Sequence, residues 1–262
     1  MILLRHEWRS ARTAMLVWAV SIGLLCFITI SLFTSMENSA QSMAESLGSM
    51  GGLSASMGMD KMNIADFNGY YAVENALIFS VGSAMFAAYL GIISLAKEEE
   101  GHTAEFLYTL PYNRRTVWLA KYLSIVCLLL AFNCLVIFFE VAAVKLADVD
   151  LDFKAYWLYH IRAFLMQNEV AAFCLLLSAF YRKKQVGLAL GLALLLYALD
   201  MLCRLIEDVA FLKYVTPYYY ANAITVFSQE KLNSLYLLIA GCITVCSLAA
   251  SYIILKRRDL SV

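Results

Sequence analysis

Six long stretches of apolar residues, separated by shorter polar segments, dominate the pattern of the chain. A bilayer core about 30 Å thick needs about 20 helical residues at 1.5 Å each, and each stretch approaches or exceeds that length. We therefore predict an all-α membrane protein with six transmembrane helices in one domain, residues 1–262. The predicted spans are residues 13–33, 76–96, 117–144, 157–181, 186–203 and 234–255.

The fourth and fifth spans carry the weakest signals. The fifth has no sharp end near Asp200. The fourth contains charged side chains, and each of these opposes insertion by about 2.5–3.5 kcal/mol at mid-depth. Pro111 and Pro217 lie outside the spans, so a continuous helix is possible through each. The polar residues of the fourth span are His160, Arg162, Gln167, Asn168 and Glu169.

Composition excludes a soluble enzyme. The chain is 62% hydrophobic and 15% charged, whereas soluble domains are about 45–50% apolar and about 25% charged. Its 20 Lys and Arg balance 20 Asp and Glu, so no net field attracts nucleic acid. The 7 cysteines form no CxxC pair, and we predict buried thiols rather than a metal site.

Lysine and arginine are distributed unequally between the two sets of segments that flank the spans. Cytoplasmic segments carry the excess of these residues, which predicts that both termini are cytoplasmic. The richer set contains Arg5, Arg9, Arg12, Lys97, Arg114, Arg115, Lys121, Arg182, Lys183, Lys184, Lys256, Arg257 and Arg258. The opposite set contains Lys61, Lys145, Lys154, Arg204, Lys213 and Lys231.

Two external segments follow from this topology, residues 34–75 and 204–233, and the second has the composition of a possible re-entrant segment. In the first, methionines recur every seventh residue and glycines interrupt the apolar stripe. Three interpretations remain open: a mobile loop, an apolar strip at the membrane surface or facing substrate, and a soft-metal site. The methionines are Met36, Met43, Met50 and Met57.

The most informative cytoplasmic segment is residues 97–116, between the second and third spans. Gly101 permits a turn, and Thr103 can cap a short helix with Glu105 at the positive end of its dipole. Pro111 prevents that helix from continuing into the third span. An acidic cluster precedes the turn and an apolar ridge lies along the helix: Glu98, Glu99 and Glu100, then Phe106, Leu107 and Leu110. The ridge can bind a partner protein or lie in the lipid headgroups.

This segment closely resembles the stretch after the second transmembrane helix in permease subunits of type-2 ABC exporters. In that family an acidic cluster precedes Gly-Thr-x-Glu-x-Leu, then a proline and an arginine; here His102 is an extra residue. Residues 1–12 are similar to the family's elbow helix, 216–218 to its external motif and 256–260 to its C-terminus. The matching positions are Gly101, Thr103, Glu105, Leu107, Pro111 and Arg114 or Arg115.

The resemblance implies that the short helix is a coupling helix, which seats in a cleft of a separate ATPase subunit. It also implies two permease chains, identical or related, with two ATPase chains that bind the ATP and Mg. This chain has no GxxxxGK[ST] phosphate loop of its own, and no cofactor is expected on it. We hypothesise that the ridge of Phe106, Leu107 and Leu110 inserts into the ATPase cleft. The polar rim around it would be formed by Glu98, Glu99, Glu100 and Arg114.

Charged residues within the spans form a second candidate site. Arg162 and Glu169 are seven residues apart, so they share a helix face with about 10 Å of rise between them. Asp200 and Arg204 are four apart, and Glu140 lies late in the third span. These charges can form ion pairs that make insertion tolerable, or they can line a polar path for substrate or ions.

Two further residue patterns in the spans carry weaker predictions. His160 is expected at an interface rather than as a ligand, since no second ligand has suitable spacing. Gly187 and Gly191 form a GxxxG motif in the fifth span. This motif can allow close helix packing within one subunit or across a dimer.

An intramembrane protease and an ion-driven transporter are the competing classes. The paired glutamates at 98 and 99 resemble those of CAAX-type proteases, but Thr103 occupies the position where EExxxR requires arginine. The carboxylates inside the spans motivate the ion-driven alternative.

Short external loops and the methionine strip favour a substrate that partitions into the bilayer. An amphipathic or antimicrobial peptide comes first, with hydrophobic drugs, lipid-linked glycans and sodium as alternatives. The expected location is the lipid bilayer of a bacterial plasma membrane.

Overall fold

The computed structural model describes residues 2–48, 62–103 and 112–257, with the backbone alone for residues 36–48 and Glu207, and this part of the chain is helical without strands. Six of its helices are long and apolar enough to cross a membrane, which confirms the predicted fold class. They are α1 (Ile2–Gly48), α2 (Ala76–Glu100), α3 (Arg114–Ala147), α4 (Phe153–Phe180), α5 (Val186–Leu205) and α6 (Ser234–Arg257).

The first helix is longer than the sequence pattern predicted at both ends. It runs from Ile2 to Gly48 without a break, because it contains no proline and its one internal glycine, Gly23, is tolerated in a helix. Residues 2–12 therefore continue into the first span and do not form a separate elbow helix. Residues 34–48, predicted as the start of an external loop, are helical instead.

Shorter helical segments lie at the opposite end of the bundle from the chain termini. Phe67–Tyr70 and a π-helical turn, Tyr71–Asn75, lead directly into α2, so this helical run starts earlier than predicted. Between α5 and α6 the chain forms a 3₁₀ helix, Glu207–Tyr214, and a short helix, Ala223–Phe227.

The connection from α5 to α6 packs into the bundle at that same end. The hydroxyl of Thr216 donates to the carbonyl of Leu196 at 2.9 Å, and the hydroxyl of Tyr218 donates to the carbonyl of Ala193 at 3.2 Å. Ala193 lies near the middle of α5, so this connection extends deep along the helix. These bonds give the Thr216 and Tyr218 hydroxyl groups partners in a region without water, where an unpaired donor is costly.

Helices α2 and α4 form the centre of the bundle. In the most apolar 18-residue stretch of each helix, 56% of the residues are buried for α2 and 61% for α4, compared with 22% for α5 and 17% for α6. A Cβ atom added at Gly91 of α2 would lie 2.4 Å from the carbonyl oxygen of Ala171 of α4, so only glycine permits this close approach. Helix α1 packs on α3, and α6 packs on α4.

Candidate functional site

The ends of α2 and α3 frame the predicted coupling segment. Five residues predicted for this segment lie outside the described residues, in the range 104–111: Glu105, Phe106, Leu107, Leu110 and Pro111. Both flanks are described, since α2 ends at Glu100 and α3 begins at Arg114.

The turn after α2 has a defined geometry. The N–H groups of Gly101 and Thr103 donate to the carbonyls of Lys97 and Glu98 at 3.0 and 2.8 Å. The Thr103 hydroxyl lies 3.4 Å from the same Glu98 carbonyl. His102, the extra residue of the motif, adopts a left-handed conformation with φ of 53°. This turn closes the end of α2 and so sets the direction in which the chain leaves it.

A buried network of charges lies just inside this turn, and we call it the Lys121 network: Glu7, Lys97, Glu98 and Lys121. The Lys121 ammonium group, 2% exposed, donates to Glu7 Oε1 at 3.1 Å, to the Ser94 carbonyl at 2.7 Å and to Glu98. Lys97 also donates to Glu7 and lies 3.9 Å from Glu98. The network therefore connects α1, the end of α2 and the start of α3.

The sequence pattern identified only Glu98 of these four residues, and assigned it to an exposed rim. Its side chain is instead 12% exposed, with Oε2 buried and not hydrogen-bonded to any described residue. The signal that could have revealed the network was Lys121, which lies inside a predicted span. A lysine in that position requires a carboxylate from another helix. Of the other predicted residues, Arg115 is exposed and Glu99 half-buried.

Two more of the predicted coupling residues bind neighbouring parts of the chain. Glu100 Oε2 accepts a hydrogen bond from the N–H of Lys184 at 2.6 Å, which joins the end of α2 to the α4–α5 connection. Arg114 Nη1 donates to the carbonyls of Leu255 and Lys256 at 2.8 and 3.0 Å. A guanidinium group in this position caps the C-terminal end of α6.

The second candidate site lies near the other end of the bundle, around a fully buried carboxylate. Glu140 Oε2 accepts from the hydroxyls of Tyr156 at 2.9 Å and Tyr71 at 3.2 Å, and lies 3.0 Å from His160 Nε2. Glu140 Oε1 accepts from Asn75 Nδ2 at 2.9 Å. We call these five residues the Glu140 cluster, and both oxygens of its carboxylate are hydrogen-bonded.

The π-helical turn before α2 supplies two members of the cluster. The wider turn of a π-helix brings residues four apart close to one face, and such turns often occur at functional sites. Tyr71 and Asn75 have this spacing and both contact Glu140. The cluster thereby joins the π-helical turn, α3 and α4 through one acceptor, which supports the ion-pair interpretation of Glu140.

His160, expected at an interface rather than as a ligand, is buried between helices. Its side chain is 4% exposed, and the rings of Tyr156 and Phe79 pack on it with centroids 4.4 and 4.7 Å away. The buried imidazole is tolerated because a carboxylate from another helix faces it. No spacing within α4 could reveal that partner.

Arg162 and Glu169 do not pair, although they share a face of α4. Glu169 accepts a hydrogen bond from the hydroxyl of Tyr220 at 2.8 Å, whereas Arg162 Nη1 is buried without a hydrogen bond. Both side chains lean toward the N-terminus of the helix, so the separation of about 10 Å persists. Burial, together with the nearby Glu169 carboxylate, raises the pKa of Tyr220, so the phenol stays a donor.

Asp200 and Arg204 form a two-pronged ion pair within α5. Arg204 Nε and Nη2 lie 3.0 and 3.3 Å from the two carboxylate oxygens, and the guanidinium group stacks 4.8 Å from the centroid of Tyr219. A cavity of about 60 Å³ adjoins the pair and is lined in part by Ser80 and Tyr159. The ion pair satisfies both charges. The cavity beside it has room for only a few water molecules.

The GxxxG motif of α5 faces away from its own chain. Gly187 and Gly191 are exposed, and a Cβ atom at either would meet nothing within 4 Å. Close packing within the subunit is therefore not the role of this motif.

Metal ligation finds no support in the described part of the chain, where no three His, Cys, Asp or Glu side chains converge. The predicted soft-metal alternative concerns methionine side chains outside that part: Met36, Met43, Met50 and Met57.

Comparison with known proteins identifies one family. The sequence model of the family described as "ABC-2 family transporter protein" matches residues 1–260, almost the whole chain. No curated protein matches the sequence.

Proposed function

The chain belongs to the ABC-2 transporter family, and we propose that it is an exporter permease driven through the segment between α2 and α3. As a member, it is a multi-pass membrane subunit without its own nucleotide-binding motif, and the ATPase is a separate partner chain. In the proposed complex, ATP and Mg bind to that partner.

The observation that carries the proposal is the Lys121 network. The helices that enter and leave residues 104–111 are joined to each other and to α1 by buried, hydrogen-bonded charges. Such contacts are strong in a low-dielectric environment and costly to break. A force applied to the segment would therefore move three helices together instead of bending one.

Within the segment we assign the docking contact to the apolar ridge of Phe106, Leu107 and Leu110. Glu98, Glu100 and Arg114 already have contacts inside the chain. We therefore assign them to holding the segment, and we assign the polar rim to the exposed Arg115.

Affinity purification of tagged variants from their native membranes tests the docking contact. Leu107→Asp should reduce co-purified ATPase, measured as vanadate-sensitive ATP hydrolysis, at least tenfold, because a charge in an apolar contact must be desolvated. Leu146→Asp is the matched control, since Leu146 is exposed near the opposite end of the bundle. Equal ATPase recovery with both variants would refute the docking assignment.

We propose that both termini face the cytoplasm. The excess of lysine and arginine at the end of the bundle that holds the Lys121 network supports this orientation. A phosphatase reporter inserted after Asp150 should be active, and one fused after Val262 inactive. The reverse pattern would contradict the orientation.

We further propose that two permease chains and two ATPase chains form the complex, in a bacterial plasma membrane. The exposed Gly187 and Gly191, on a helix that is mostly unburied within its own chain, support a contact with a second permease through α5. Gly191→Leu should weaken permease self-association in detergent, measured by light scattering, without lowering the melting temperature of the monomer.

For the substrate, we propose a membrane-active peptide. Support comes from the short external loops and the methionine-rich strip, which suit a cargo taken from or released into the bilayer. Deleting the gene should sensitise cells to such peptides, and the peptides should stimulate ATP hydrolysis by the reconstituted complex. Stimulation by hydrophobic drugs, a lipid-linked glycan or sodium instead would replace this assignment.

A further inference from the structure

We propose that an anionic phospholipid binds in the groove between α4 and the start of α6, with its phosphate on Arg162. The leaflet is the one at the Phe153 end of α4, which is the external leaflet in the proposed orientation. This inference concerns a bound lipid, and it does not depend on the identity of the exported substrate.

The groove has the size and lining of a lipid site. Its volume is about 670 Å³, within the range of ligand-binding pockets. Its walls include large apolar side chains that are 38–58% exposed, so the groove is open at the side where the bilayer would lie. These side chains are Leu158, Ile161 and Leu165 of α4 and Leu237 of α6.

Arg162 contributes to the groove a positive charge that is not paired with any described residue. Its Nη1 atom is buried and makes no hydrogen bond, and no ion pair joins its guanidinium group to the described residues. An unpaired arginine within a membrane span requires an anion or water. Because side chains on a helix lean toward its N-terminus, this guanidinium group points toward the nearer headgroup layer.

The charges at the rim favour an anionic lipid over a neutral one. Lys154 and Lys231 line the groove and can face a second negative charge. Of the two acidic residues that also line it, Asp152 accepts hydrogen bonds from the first turn of α4, and Glu230 has a contact of its own. The Asp152 carboxylate is therefore already engaged, and three basic residues line the groove against two acidic ones.

A second copy of this chain is a poorer source of the anion. The carboxylates deep in the spans, Glu140, Glu169 and Asp200, each have a hydrogen-bond partner within their own chain. Breaking such a contact to reach Arg162 would leave a buried donor unsatisfied. A phospholipid reaches the groove from the bilayer without breaking any of these contacts, and a phosphate matches the fork of guanidinium donors.

The test measures lipid binding to the purified full-length chain in phosphatidylcholine nanodiscs doped with phosphatidylglycerol of the same acyl chains. For Arg162→Leu the apparent Kd for phosphatidylglycerol should rise about tenfold, because a charge-assisted hydrogen bond is lost. Arg162→Lys should retain part of the affinity. The matched control is Lys145→Leu, which removes an exposed cation at the same end of the bundle and should change Kd less than twofold.

A photoactivatable phosphatidylglycerol provides a second measurement that needs no variant. Its crosslinks to the wild-type chain should map to peptides containing Leu158, Leu165 and Leu237. The proposal is overturned if crosslinks fall elsewhere, or if Arg162→Leu binds phosphatidylglycerol as the wild type does. It is also overturned if Arg162→Leu impairs only self-association or only transport, which would assign the groove to a second copy or to the cargo. Neither measurement involves the ATPase, so failure here leaves the proposed function standing.

Discussion

The two buried polar sites at opposite ends of the bundle each join three helices, but they do so in different ways. The Lys121 network uses long, flexible lysine and glutamate side chains, each of which contacts more than one partner. The Glu140 cluster uses aromatic hydroxyls, an amide and an imidazole on a π-helical turn and on α4.

This difference suggests a different role for each end. Long ammonium and carboxylate chains can exchange partners with small movements, and Glu98 Oε2 is still available for a hydrogen bond. Aromatic side chains that are packed in the core can exchange hydrogen-bond partners only if the core repacks. We therefore expect the Glu140 end to hold its arrangement while the Lys121 end changes during transport.

The largest expected effect comes from removing the central acceptor of the Glu140 cluster. Glu140→Ala leaves two phenols, an amide and His160 without their shared partner, and should destabilise the chain by about 3–5 kcal/mol. Thermal melting in detergent measures the loss. Glu140→Gln, which keeps one carbonyl acceptor, should lose less; equal melting of wild type and the alanine variant would show that the cluster does not hold this end.

Lys121→Met should have a smaller effect on stability but a clear effect on coupling. The substitution leaves Lys97, 3.9 Å away, as the remaining cation near Glu98. The free energy of unfolding should fall by about 2–3 kcal/mol, because a charged group is left unsatisfied. ATPase co-purification should persist while substrate-stimulated ATP hydrolysis falls. If stimulation survives at the wild-type level, the network does not transmit the motion.

Gly91→Ala tests whether α2 and α4 form the rigid connection between the two ends. The added methyl group would clash with the Ala171 carbonyl, and overpacking of this kind costs about 1–3 kcal/mol. Gly241→Ala is the matched control, because its methyl group would enter open space. A similar melting temperature for both variants would argue against the close contact.

Tyr156→Phe should produce the smallest effect, about 1 kcal/mol, because Glu140 keeps its other donors. Tyr122→Phe is the control, since the Tyr122 hydroxyl makes no hydrogen bond to the described residues. Chemical denaturation of the two variants in parallel should show a difference of this size. A loss as large as that of Glu140→Ala would mean that the Tyr156 hydroxyl dominates the cluster.

Sequence patterns predicted the architecture well but the partners of individual polar residues poorly. Six spans followed from the length and polarity of apolar stretches, because membrane insertion depends on local composition. The Asp200–Arg204 contact was within reach of the i, i+4 rule, since both residues lie on one helix. The same kind of reasoning failed for Arg162 and Glu169, whose spacing matches a shared face but not a contact distance.

The sequence by itself determined the number of spans, the excess of basic residues at one end and the motif of the segment between α2 and α3. These are properties of short stretches, and the bilayer responds to them without reference to the rest of the chain. Only the tertiary structure decided that Lys121 pairs with Glu7 and Glu98, that Glu140 faces His160 and Tyr71, and that Arg162 Nη1 is buried in a groove without a hydrogen bond to the described residues. Those outcomes depend on which faces of different helices meet, because a buried charge is stabilised by whatever polar group the neighbouring helix presents.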